Sequence, residues 1–366
     1  MVRDIENQLD APGIIVLNLL DRILELDRDN RYVLFYRSDT FLDRYAHHPH
    51  VKSVVVKASG KLLWDQIAIP RAARREGVDI LFHPKHTIPL LWRGKSLMHL
   101  RGAEQWVSPH CYEPLDRLYL RHAIPRFARK ATRLVAESWT VKEEFERNIR
   151  GIRGKLDVIY LAPAPRFQQP VDPDRIRRVR EKYALPERYA FTVTRLRQGK
   201  LRYPTKNLDN MVEAWCASEA GREMPFVIAG GHTREYVEEV RRRNPACGER
   251  LVGLGFVEQP DLPALYSQAE MLLFVSRYES FGIPILEAMA TGCPVITANV
   301  YACSEISGGR APLVHPDDTE GLIREIDRLA SDPALRQELA RRGREWVKRF
   351  SWERAARETI RILEEL

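Results

Sequence analysis

Residues 276–296 read SRYESFGIPILEAMATGCPVI, and this stretch decides the fold. The apolar run AEMLLFVS (269–276) leads into it and PVITA (294–298) closes it, two strands flanking a Gly-Ile-Pro turn that opens a helix. A turn that leaves a strand and starts a helix aims free backbone N–H groups, and the positive end of the helix dipole, at an anion. Glu279 lies on the loop and Glu287 in the second helical turn, so two carboxylates can reach one ligand at the carboxyl edge of a sheet. A phosphorylated sugar rich in hydroxyls suits that pairing.

Outward from this element, the chain alternates. YAFTVTRL (189–196), PFVIAGG (225–231) and LVGLGFV (251–257) read as strands, each followed by a helical pattern. The first half behaves the same way: GIIVLNLLDRILELD (13–27) has helical spacing, and YVLFYR, SVVVKA, VDILFHP, KSLMHL, RLVAES and LDVIYLA are short β-rich runs. LLWDQIAIPRAARREG (62–77) reads as a helix broken or started by Pro70. Such alternation predicts parallel sheets with helices on both faces. The proline-rich PAPRFQQPVDPD (163–174) separates the two sets. The expected architecture is α/β, two Rossmann-like doubly wound domains facing a central cleft, with boundaries at 1–165, 166–345 and a closing helix at 346–366. The start departs from that plan. MVRDIENQL is a poor strand, so the first strand is missing or atypical, and only Gly13 in APGI resembles the end of a glycine turn.

Composition narrows the class. A chain of 366 residues, 44% hydrophobic and 30% charged, reads as soluble and globular. No apolar run approaches the roughly 18–20 residues of a membrane-spanning helix. MVRDIENQLDAPG lacks the apolar core of a secretory signal, so a cytoplasmic protein is expected. Cys111, Cys216, Cys247, Cys293 and Cys303 are scattered, without metal-ligand spacing, and read as reduced thiols; no metal is assigned. The net charge of +8 gathers in RHAIPRFARKATR, RNIRGIRGK and DRIRRVREK. Such runs are solvated helix faces, or they attract a phosphorylated substrate or an anionic membrane surface at the inner membrane face. No nucleic-acid recognition motif accompanies them.

With these motifs together, the chain resembles the retaining glycosyltransferases of family 4, which have the GT-B architecture. The resemblance is strongest over 190–356 and rests on ESFGIPILE continued by AMATGCPVI. It implies that Glu279 contacts donor-sugar hydroxyls, that Glu287 accepts from the nucleotide ribose, and that Phe281, Gly282 and Ile283 present backbone N–H groups to the sugar and diphosphate. YAFTVTRL and RYPTKNLDNMVEAW resemble the family's Arg…Lys pair, implying Arg195 and Lys206 as the diphosphate cations. The loop between them is about twice the usual length, which leaves Arg197, Lys200 and Arg202 as substitutes. Gly230 and Gly231 either admit the donor or form a tight turn, and the backbone near Val257 resembles the segment that reads the base. In the first domain the resemblance implies His99 near the reacting centre, although Leu100 stands where the family has an aspartate. It also places Ser138 at the cleft and Trp352 as the anchor of a final helix crossing back. His83, Lys85, His86 and Glu104 are acceptor-side candidates.

The activity implied is transfer of a hexosyl unit, of mannose or glucose type, from a nucleotide-diphospho-sugar to a hydroxyl acceptor on a glycan, lipid-linked saccharide or small molecule. UDP or GDP is the expected carrier, with no further cofactor and no metal. The alternatives are a nucleotide-sugar epimerase of the same architecture and a catalytically silent sugar-nucleotide or polyanion binder.

Overall fold

The computed structural model describes residues 11–196 and 204–366. The chain forms two compact units, one running to Leu161 and taking back Phe350–Leu366, the other Ala162–Arg349. No helix among the described residues is long and apolar enough to cross a membrane.

In the first unit, β1 (Tyr32–Tyr36) pairs in parallel with β2 (Val51–Val55). A separate parallel sheet contains β3 (Ile80–His83), β4 (Lys95–Leu100), β5 (Arg133–Ala136) and β6 (Leu156–Val158), in that spatial order. The helix Ala11–Leu26 buries Ile15, Val16, Leu19, Leu20, Ile23 and Leu24, the stripe that its three- and four-residue spacing dictates. Gly13, expected at the end of a turn, instead lies buried inside this helix. The polar stretch 1–9, where a first strand is in question, lies outside the described residues. The closing helix Trp352–Glu364 belongs to this unit and packs against Ala11–Leu26. Ser351 caps it by accepting from the Arg354 N–H at 3.0 Å, and Trp352, Ala355, Ala356, Thr359 and Ile362 form its buried face.

The segment around Pro70 is one continuous run: Lys61–Leu63 and Ile69–Arg75 are α-helical and joined by a π-turn, Trp64–Ala68. Proline lacks an N–H and its ring crowds the preceding turn, and the widened turn spares the helix that clash. Trp64, fully buried, donates from its indole N–H to the Val56 carbonyl at 2.6 Å and locks the turn onto the end of β2.

The second unit is a six-stranded, wholly parallel sheet: β7 (Ala190–Val193), β8 (Phe226–Ala229), β9 (Leu251–Gly255), β10 (Met271–Phe274), β11 (Val295–Ala298) and β12 (Leu313–Val314). The spatial order is β12-β11-β10-β7-β8-β9. From β7 the chain builds outward through β8 and β9, then returns to lay β10 on the other side. The strand order thus reverses between β7 and β10. Every residue of β8, β10 and β11 is buried, as expected of parallel strands covered on both faces.

The cysteines correct the reading of five free thiols. Cys216, at the end of the helix Leu208–Ala217, is disulfide-bonded to Cys247 in the short helix Pro245–Gly248, with Cα atoms 5.3 Å apart. Thirty-one residues separate the two in sequence, and only the return of β8 and β9 to the sheet edge brings them together. Cys111, Cys293 and Cys303 are free.

Candidate functional site

In open parallel sheets a crevice forms at the carboxyl ends of the strands where the order reverses, because the connections on either side depart to opposite faces. In the second unit that point lies above β7 and β10. Lys206 follows β7 and Glu279 follows β10, and the Lys206 ammonium donates to Glu279 Oε1 at 2.7 Å directly across it. Their side chains are 24% and 12% exposed, so the pair is largely shielded from bulk water.

Asn207 holds this pair in place. It sits in the left-handed region (φ 55°), is buried, and its amide donates to the carbonyls of Val275 (2.9 Å) and Pro316 (2.7 Å). Its carbonyl accepts from Arg277, which also pairs with Asp317. The Thr205 carbonyl accepts from the Arg277 N–H at 2.8 Å. One asparagine therefore ties the loop after β7 to those after β10 and β12. The sequence signals it only as the middle letter of KNL.

Three further turns on the same edge carry left-handed residues. Gly230 (φ 131°) follows β8, and a Cβ there would lie 2.0 Å from the Thr194 carbonyl oxygen, so only glycine fits. Gly231 has open space around it. Gly282 (φ 96°) opens the helix Ile283–Thr291 after β10. Tyr301 (φ 50°), an unusual conformation for a bulky residue, follows β11 and packs edge-on against Tyr278 beside Glu279. Strained backbone gathered on one sheet edge is typical of ligand sites.

Glu287 projects from the second turn of the helix Ile283–Thr291 and accepts from the hydroxyl of the buried Tyr266 at 3.1 Å. Burial pushes its carboxyl up to about 7, against the opposing pull of the Tyr266 hydroxyl and of Arg166. Arg166 comes from the proline-rich segment that reads as a linker, and Tyr266 from a helix with no distinguishing pattern. Sequence reasoning singles out neither. Beneath Glu279, burial and the carboxylate hold the Cys303 thiol protonated, pushing it up to about 12.

Among the residues the sequence nominates, Phe281 is buried and Ile283 begins the helix at Gly282, while Val257 is buried just past β9. Arg195 is exposed past β7 and makes no ion pair with the described residues, and among those residues it is Lys206 that meets Glu279. Arg197, Lys200 and Arg202 lie outside the described residues.

In the first unit, His99 lies within β4 and faces an apolar pocket with Phe82, Val135, Leu161 and Trp352. Its Nε2 is buried without a hydrogen-bond partner, and burial, with Arg101 and His86 adding, lowers its pKa to about 3. The imidazole is thus neutral at working pH. His83 is fully buried and held neutral by that burial; His86 accepts from the Arg101 N–H at 3.0 Å. Lys85 pairs with the buried Asp65 at 3.2 Å, and Glu104 accepts from the Tyr112 hydroxyl at 3.0 Å. Ser138 caps the helix Trp139–Asn148, accepting from the Val141 N–H at 3.1 Å.

Residues 178–346, which hold β7 to β12 and all of the Lys206–Glu279–Glu287 site, match the family described as "Glycosyl transferases group 1". That stretch resembles a group 1 glycosyltransferase domain. The chain is 27% identical over 188 residues to the serotype-specific mannosyltransferase WbdA of Escherichia coli, covering 50% of this chain and 22% of that protein. It is 32% identical over 162 residues to the O-antigen chain mannosyltransferase B of Escherichia coli, covering 43% and 42%. The chain thus spans less than half the length of these relatives. Among solved structures, a glycosyltransferase from Rickettsia africae aligns with a TM-score of 0.75 at 18% identity over 97% of this chain and 95% of that one. Anabaena HepE, crystallised with UDP and glucose, aligns with a TM-score of 0.75 at 20% identity over 97% of each chain. The fold class of the chain is that of the GT-B glycosyltransferases.

Proposed function

We propose that the chain is a retaining glycosyltransferase that moves a hexosyl unit from a nucleoside-diphospho-sugar to a hydroxyl acceptor. The Lys206–Glu279 pair across the reversal of strand order carries this reading. The lysine's charge is held by the glutamate. A bound diphosphate would draw the ammonium to its oxygens and release the Glu279 carboxylate to accept from sugar hydroxyls. The first N–H groups of the helix at Gly282 offer the diphosphate a further positive pole. Negative charge on the leaving nucleoside diphosphate grows in the transition state, where fixed cations act most strongly. Lys206, Arg195 and the helix start supply that charge in a scheme that needs no metal.

Glu287 would accept from the ribose hydroxyls in its ionised form. The acceptor hydroxyl attacks the anomeric carbon from the face the diphosphate leaves, and its proton passes to the departing phosphate oxygen. The carbon–oxygen bond to the leaving phosphate breaks as the new glycosidic bond forms, and configuration is kept. The mannosyltransferase relatives favour a mannose donor, and hence GDP as carrier, on a glycan acceptor.

A thermal-shift screen against GDP-mannose, UDP-glucose and ADP-glucose tests the donor, because a ligand bound to the native state raises its melting point. Turnover assays with the stabilising donor, with and without a chelator, then test transfer and metal independence. Stabilisation by none of the nucleotides would contradict the proposal; stabilisation without transfer would favour a silent binder.

A further inference from the structure

The first unit carries a cavity that the proposed reaction does not use. Its volume is about 670 Å³, and Arg74, Asp79, Trp92, Arg93, Gly94 and Lys95 wall it. Small-molecule sites usually enclose about 300–1,000 Å³. Ile80 and Lys95, the first residues of β3 and β4, are partners in register, so the cavity lies at the amino edge of this sheet. Substrates of open parallel sheets bind at the other edge, toward which His83 and His99 lie at or near the ends of the same two strands.

The wall is fixed at three points. The Trp92 indole donates to the Lys95 carbonyl at 3.0 Å, the Trp92 backbone N–H to the Pro89 carbonyl at 3.1 Å, and the Arg74 guanidinium to the Leu91 carbonyl at 2.9 Å. Trp92 is itself part of the buried cluster that holds Phe35, Trp64 and Leu81. A Cβ on Gly94 would lie 2.7 Å from the Trp92 ring, so glycine lets the chain pass this close to the indole. The cavity is therefore formed before any ligand arrives.

Its charge says what the ligand is. The side chains of Arg93, Lys95 and Asp79 are exposed and make no ion pair with the described residues. Arg74 gives only one bond to Leu91 from a guanidinium with five N–H donors. Three cations against one carboxylate leave a surplus of two positive charges around the cavity. A phosphomonoester carries about −1.5 to −2 near neutral pH, which matches that surplus, and guanidinium forks fit its oxygens. A carboxylic acid or a phosphodiester, with a single charge, would leave half of it unbalanced. The Asp79 carboxylate accepts hydrogen bonds, so it suits a hydroxyl on the same ligand and gains nothing from bare phosphate.

We infer that this cavity binds a hydroxylated phosphomonoester, such as a sugar phosphate, with the phosphate among Arg74, Arg93 and Lys95 and a hydroxyl on Asp79. The inference does not depend on the donor site in the other unit.

Isothermal titration of the full chain with glucose 6-phosphate, mannose 6-phosphate, inorganic phosphate and glucose tests it. A sugar phosphate should bind more tightly than inorganic phosphate, and glucose should not bind. Arg93→Glu with Lys95→Glu should weaken sugar-phosphate binding at least about tenfold, and Asp79→Ala should erase the preference over inorganic phosphate. All three side chains are exposed, so melting points should match wild type. Lys206→Ala, which alters the donor site, should bind the sugar phosphate as wild type does. No binding of either sugar phosphate, wild-type affinity in the Arg93/Lys95 variant, an unchanged preference in Asp79→Ala, or loss of binding in Lys206→Ala would each overturn the assignment.

Discussion

Lys206→Ala removes the cation that meets Glu279 across the switch point, and its two consequences separate structure from catalysis. Without the ammonium, Glu279 is a carboxylate 12% exposed whose partner at 2.7 Å is gone. Breaking a fully buried pair costs about 3–5 kcal/mol. Partial exposure of the lysine sets this pair below that range, at about 2 kcal/mol. For a unit of this size that lowers the melting point by roughly 4–8 °C. Loss of a fixed charge facing the leaving group should lower kcat by about 10²–10³. The double variant Lys206→Ala/Glu279→Ala strands neither charge, so it should regain at least about 1 kcal/mol of the lost stability. It should regain none of the turnover. Calorimetry and single-turnover transfer assays on wild type, both single variants and the double variant read the two quantities. If the double variant recovers activity along with its melting point, Lys206 is only a structural partner of Glu279. Wild-type turnover in Lys206→Ala would remove it from the site altogether.

Glu287 keeps its proton in the folded chain up to about 7, against an ordinary 4.5. Between those values the folded state binds more protons than the unfolded chain, so stability falls as pH rises through the window and levels off above it, by on the order of 3 kcal/mol. Glu287→Gln, whose carbonyl can still accept from Tyr266, should flatten that slope in urea titrations and abolish any tightening of nucleoside-diphosphate binding toward alkaline pH. Gly230→Ala would set a Cβ 2.0 Å from the Thr194 oxygen and should destabilise by on the order of 3 kcal/mol, while Gly231→Ala, in open space, should be near neutral by thermal melt. Asn207→Ala leaves the Val275 carbonyl without its amide donor, while Asn210 still donates to Pro316, and should cost roughly 1–3 kcal/mol. Asn207→Gly, which suits the left-handed backbone, should lose nearly as much if the hydrogen bonds rather than φ matter.

The alternation of short apolar runs with helical spacing was enough to place β7 to β11, because parallel strands covered on both faces must be continuously apolar; β12, two residues with Leu313 exposed, carries no such run. The stretch 276–296 by itself determined a strand, a glycine-bearing turn and a helix with one carboxylate on each side of the turn, since each of those features is local. Lys206 was legible through KNL, also a local pattern. What local pattern cannot convey is pairing across the sheet. Only the β12-β11-β10-β7-β8-β9 order puts the loops after β7 and β10 side by side, and so brings Lys206 to Glu279 from seventy-three residues away. The same long-range return joins Cys216 to Cys247, sets Tyr266 and Arg166 about Glu287, and turns His99 toward an apolar pocket. Each of these is decided by which elements become neighbours, a property of burial summed over the whole unit that no short window of sequence holds.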